Sequence, residues 1–198
     1  LEDISIVLTS TNILKNLCTN ILVKLFSTMK VADGHIVLSI NEEIIGNTMH
    51  NSTYTNKEYL IIVKSLVNKA IHNPEGMLIF DELPESPYKE LLWELHIGVI
   101  IPLISKSNRI GALILGHKSS GEAYSIDDIK ALKIIAPEIT VAIQNSLQFE
   151  EISQFNITLK NEVTHATAKL RKANKKLKEL DKVKDHFVSI ASHELKTP

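Results

Sequence analysis

From Phe149 onward the chain repeats apolar residues every seven positions, and few features restrict a fold as strongly. One series runs Phe149, Asn156, Val163, Leu170, Leu177, Lys184, Ala191. The other runs Ile152, Leu159, Ala166, Ala173, Leu180, Phe187. Eleven of these thirteen positions are apolar, so the segment can only bury its seam against another helix. The simplest arrangement is a parallel dimer, with Asn156 as a polar break that can fix register and strand number and Lys184 as a second interruption. Residues 160–185 carry nine Lys/Arg against four Asp/Glu. These lysines lack interleaved aromatics and sit outside a continuous seam, so they read as a solvated helix surface and not as a nucleic-acid contact.

The residues before the repeat obey a different pattern. Leu14, Leu17, Ile21, Leu25 and Met29 mark a helix, with Thr11 or Asn12 as its cap. His35 to Ile40 and Glu43 to Gly46 read as two short strands around an Asn41-Glu42 turn. Tyr59, Leu60, Val63, Val67, Ala70 and Ile71 mark a second helix, stopped by Asn73-Pro74-Glu75-Gly76. Met77 to Phe80 is another short strand, and a turn or two of helix passes through Leu91, Leu92 and Trp93. Ile97 to Ile104 and Ile110 to His117 form a hairpin across the polar Ser105-Lys106-Ser107-Asn108-Arg109 loop. Both strands are apolar on both faces, which predicts helices on each side of the sheet. Ser125 then caps a helix by accepting from its third N–H, and the Asp127-Asp128 pair suits the positive helix end. Ile129, Leu132, Ile135, Ile139 and Ile143 are its buried stripe. Pro137 lies inside this helix, removes the bond to the Lys133 carbonyl and predicts a kink.

Composition narrows the function classes. The 198 residues are 44% hydrophobic, with a net charge of −1 and a single Cys18. One cysteine cannot close an internal disulfide, which fits a reducing, cytoplasmic setting. No apolar run reaches the roughly 18–20 residues that span a bilayer. The chain starts at Leu1 and not at Met, so upstream sequence is expected, and any membrane anchor would lie there. No histidine pairs with a cysteine at metal-ligand spacing, so no metal site is expected. His35, His50, His72, His96, His117, His165 and His186 are read as ordinary solvated side chains.

His193 stands apart. It neighbours Glu194, and Thr197 lies four positions on, so imidazole and hydroxyl share a helix face beside a carboxylate. A neutral imidazole is a good nucleophile near its ordinary pKa of about 6.5. A carboxylate bonded to one ring nitrogen selects the tautomer that frees the other.

Two resemblances follow. Ile101-Pro102-Leu103, Ile110-Gly111-Ala112-Leu113, Gly116, Ser120-Gly121-Glu122, Tyr124-Ser125 and Asp128 resemble the C-terminal half of a GAF domain. That implies an α+β fold, a GAF-like antiparallel sheet with flanking helices, followed here by a long C-terminal coiled-coil helix. Ser192-His193-Glu194-Leu195-Lys196-Thr197-Pro198 resembles the H-box of sensor histidine kinases of bacterial two-component systems. The expected division is 1–147 for the GAF-like sensor, 148–184 for the coiled-coil signalling helix, and 185–198 for the start of the dimerisation and phosphotransfer helix. The resemblance implies that His193 attacks the γ-phosphate of ATP, Glu194 accepts the ring proton, and Thr197 positions water for the phosphatase reaction. It implies ATP and Mg²⁺ held by a separate ATP-binding kinase domain, a homodimer through the coiled coil, and a response regulator receiver domain as phosphoryl acceptor. The chain stops at Pro198, before that kinase domain, and is expected to hold the phosphoacceptor without phosphorylating itself. The alternative is a non-enzymatic GAF and coiled-coil module that dimerises or binds a small molecule. The GAF ligand is unassigned. Asn68-Lys69 and Phe80-Asp81-Glu82 echo a cyclic-nucleotide signature, but the acidic pair stands too close to the Phe. Cys18, on the first helix, reads as a small buried hydrophobe and not as a bilin attachment site.

Overall fold

The computed structural model describes residues 2–47, 54–106 and 108–194. The chain divides into two compact units, Leu1–Glu150 and Glu151–Pro198. In order, the elements are α1 (Glu2–Met29), β1 (Gly34–Leu38), β2 (Ile44–Asn47), α2 (Asn56–Ile71) and β3 (Leu78–Ile79). A 3-10 turn at Phe80–Glu82 follows, then α3 (Pro87–Glu94), β4 (Ile97–Ser105), β5 (Asn108–Gly116) and α4 (Ile126–Glu194).

The strands form one antiparallel sheet in the order β2-β1-β5-β4-β3. Strand periodicity sorts its side chains into two cores. Ile36, Leu38, Val99, Ile101, Leu103, Leu113 and Leu115 join α1 and the start of α4 on one face. Val37, Ile97, Ile100, Ala112 and Ile114 join α2 and α3 on the other. The α+β class and the helix-covered sheet read from the sequence are both observed.

Local chemistry explains most boundaries. Thr55 and Glu58 build a capping box at α2: the Glu58 N–H donates to Thr55 Oγ1, and the Thr55 N–H donates to Glu58 Oε2 at 2.8 Å. Ser125 and Asp128 build a second at α4, where the expected bond from the third helical N–H to Ser125 Oγ forms at 3.2 Å. The hairpin is tighter than expected. Ser105 pairs with Asn108, so the turn is two residues long, and Lys106 takes φ 55° to close it. Gly111 has no room for a side chain, because a Cβ there would overlap the Val37 carbonyl oxygen on β1.

Two expectations shift. The stripe of α1 centres on Leu14, Cys18, Leu22, Leu25 and Met29, while Leu17 and Ile21 sit at its margin. Cys18 is fully buried, as expected, and burial pushes its thiol up to about 11. In α4 the third position of the buried stripe is Ala136 and not Ile135. Pro137 lies within the unbroken bounds of α4.

Candidate functional site

The residues singled out for chemistry sit at the end of α4. His193 and Glu194 are its last two residues. Their side chains lie outside the described residues, as does Thr197 altogether, so their mutual geometry is not drawn. In the second unit the seam positions Val163, Leu170, Leu177 and Leu180 are all exposed in the single chain, and none meets a partner from its own helix. On a helix in water, such a row is covered only by association.

The first unit holds an open groove of about 370 Å³ between α2 and the β1–β5 pair. Leu60, Val63 and Val67 form one wall, Val37, Gly111 and Ala112 the other. This is at the small end of ligand-site volumes. Lys64 and Arg109 stand at its rim. Lys64 pairs with Glu42, whose carboxyl is held below its ordinary range by that ammonium. Arg109 Nη2 donates to Asn68 Oδ1 at 2.6 Å. Sequence reasoning missed this groove, since its residues lie on β1, α2, β5 and the turn after β1 and share no local motif.

The resemblance to a nucleotide signature dissolves in three dimensions. Asn68 is held by Arg109, Lys69 lies over the Tyr88 ring, and Phe80 stacks in a ring cluster elsewhere. None of Phe80, Asp81 or Glu82 lines the groove. Two histidines also differ from the solvated reading. His35 is buried, with its Nε2 2.6 Å from the Tyr59 hydroxyl, the donor being set by the ring tautomer. Burial raises Tyr59 far above the usual phenol value. His117 is half-buried between Phe80 and Trp93. Among the described residues no group of three His, Cys, Asp or Glu could hold a metal ion. Also among them, no helix is long and apolar enough to cross a membrane.

The fold is thus an α+β unit whose last helix continues into a charged heptad segment and closes on His193 and Glu194. Comparison with known proteins gives partial matches to two histidine kinases. Over 106 residues, 54% of the chain, it is 26% identical to the circadian input-output histidine kinase CikA of Thermosynechococcus vestitus. Over 100 residues, 50% of the chain, it is 27% identical to hybrid signal transduction histidine kinase G of Dictyostelium discoideum. The matched parts span 14% and 3% of those two proteins. Among solved structures, a methyl-accepting chemotaxis protein aligns at 14% identity and TM-score 0.47, over 69% of this chain and 92% of that one. A GAF domain/HD domain protein from Geobacter sulfurreducens aligns at 11% identity and TM-score 0.43, over 69% and 95%. No protein-family profile matches the chain. Over about half of its length the chain is similar to parts of two histidine kinases, which fits a signalling role.

Proposed function

We propose that this chain is the sensor and phosphoacceptor segment of a two-component histidine kinase. The observation that carries this is the unbroken sequence run Ser192-His193-Glu194-Leu195-Lys196-Thr197-Pro198, whose first three residues close α4. In this reading residues 1–147 sense, 148–184 transmit, and 185–198 begin the phosphotransfer helix. His193 takes the γ-phosphoryl group of Mg²⁺-bound ATP presented by a kinase domain. Glu194 accepts the imidazole proton, and Thr197 holds the water that hydrolyses the phosphorylated response regulator. The phosphoryl group passes from His193 to an aspartate of that regulator. The reaction runs on the cytoplasmic side, where ATP is present. The groove beside α2 supports a second element of the reading, a small-molecule signal received by the first unit. The test is to supply the parent kinase with Mg²⁺ and ATP and map the acid-labile phosphate. Phosphate on His193 supports the assignment; phosphate on another residue overturns the role of His193, and no phosphate leaves the non-enzymatic module.

The same reading requires a homodimer through the heptad seam. Leu170 and Leu177 are 66% and 63% exposed in the single chain, so their substitution costs little in the monomer. Two lysines in the seam of each helix would be buried unpaired in a dimer. Leu170→Lys with Leu177→Lys is expected to turn a dimer into a monomer in light scattering, with helical content of the first unit retained. A double variant that stays dimeric places the interface elsewhere.

A further inference from the structure

The connector between β5 and α4 joins the sheet to the long helix along the chain, and it is tied down at several points. The Gly116 N–H donates to the Asp33 carbonyl at 3.1 Å, and the Tyr124 hydroxyl donates to the Gly116 carbonyl at 2.6 Å. The Ser119 N–H donates to the Lys30 carbonyl at 2.8 Å. Lys118 forms a largely buried ion pair with Asp128, which also caps α4. His117 sits in the middle of these ties. Its ring meets Phe80 edge-to-face, with centroids 5.0 Å apart and planes at 85°, and lies 5.7 Å from Trp93. Its Nε2 is buried and makes no hydrogen bond among the described residues.

We propose that His117 is a proton-operated latch on the β5–α4 connector. Neutral, the ring fits between Phe80 and Trp93 and keeps the connector closed on the sheet. Protonated, it carries a charge in a site that gives its Nε2–H no acceptor, and a buried unpaired charge is costly. The ring then swings to water and the connector loosens at the root of α4.

The surroundings set the direction. Burial, the first cause, lowers the His117 pKa below its ordinary value. Asp81 in the 3-10 turn and Asp33 before β1 pull it up, and His96 after α3 pushes it down. Lys89 of α3 lies over the Phe80 ring and adds a positive charge on that side. Lys118, the next residue, is neutralised by Asp128. Asp33, whose carboxyl lies against Gly116, is itself raised by burial. A histidine depressed in the folded state contributes stability that is complete above its unfolded value of about 6.5 and is lost as pH falls below it. The latch therefore opens on acidification and stays shut at neutral pH. It does not depend on the role of His193.

The chain's single tryptophan is Trp93, so its emission reports the contact directly. Departure of the imidazole from beside the indole changes the surroundings of Trp93. Emission titrated from pH 8 to 5 is expected to change with a midpoint below the ordinary imidazole value of about 6.5. His117→Asn should abolish the transition, and His96→Asn should retain it with the midpoint moved upward. In the wild-type chain, NMR should show the His117 ring and the Gly116 and Ser119 amides moving with one midpoint. Flat emission, a transition surviving in His117→Asn, or one lost only in His96→Asn overturns the proposal. So do amides that stay still while the ring titrates. If His117→Asn fails to fold by circular dichroism, the wild-type NMR titration decides alone.

Discussion

On the proposed reading, the full-length protein carrying His193→Gln is expected to take up no acid-labile phosphate from ATP, while its oligomeric state and its first unit stay as in the wild type. Glutamine keeps polarity and much of the length of histidine but has no nucleophilic lone pair, because its nitrogen is an amide. Loss of a nucleophile removes about 10³-fold or more of the rate. Glu194→Gln keeps the shape of the neighbour and deletes the base. Its expected cost is about 10²–10⁴-fold in phosphorylation, the usual worth of a placed general base. Thr197→Ala should leave autophosphorylation within a few-fold and lower removal of phosphate from the regulator. Radiolabel from γ-labelled ATP, washed in acid and in base, separates the three. A His193→Gln protein that labels like wild type would end the phosphoacceptor reading. Equal losses from all three changes would mean that the helix end had been disrupted and that the assigned roles were wrong.

Leu113→Ala is expected to destabilise the first unit by about 2–5 kcal/mol, the range for deleting a fully buried leucine. Leu113 is 0% exposed in β5, and β5 lies in the middle of the sheet. Its backbone neighbours are Ile36 on β1 and Ile101 on β4, both in the same buried cluster as α1 and α4. The site cannot collapse easily, since strands on both sides and helices above hold its walls. Total domain stability is typically about 5–15 kcal/mol, so the loss is a large share. Thermal unfolding should shift by roughly 5–20 °C for a unit of this size. By contrast, Leu177→Ala should leave the melting of the first unit unchanged, because Leu177 belongs to the other unit. A shift below about 1 kcal/mol for Leu113→Ala would mean that the core is looser than the structure shows.

Several parts of the fold were legible residue by residue. The β4–β5 hairpin is written in two long apolar runs, and the cap of α4 in Ser125 and Asp128. The α2 capping box was equally visible as Thr55 and Glu58 at the right spacing, but the apolar stripe drew attention to Tyr59 instead. Periodicity was off by one position in α1, where Cys18 and Leu22 take the centre. A stripe with apolar residues on adjacent positions fits two helix rotations, and only the sheet beneath it chooses one. The candidate site divides in the same way. The run around His193 is contiguous and needs no tertiary contact to be recognised. The groove, the His35–Tyr59 bond and the His117 cluster join residues from distant parts of the chain, so no local pattern announces them.

By itself, the sequence determined the order of elements, the need for helices on both faces of the sheet, and the heptad segment that carries His193. Each of these follows from spacing, because spacing alone decides which side chains share a face. Tertiary structure alone decided which helices cover which face, that His35 and His117 leave solvent, and that an open groove runs between α2 and the β1–β5 pair. Those outcomes depend on strand register and on which distant residues approach one another. The heptad seam belongs to both accounts. Its phase is legible in the chain, and its exposed leucines, without a partner on their own helix, show why a chain with this pattern is expected to associate.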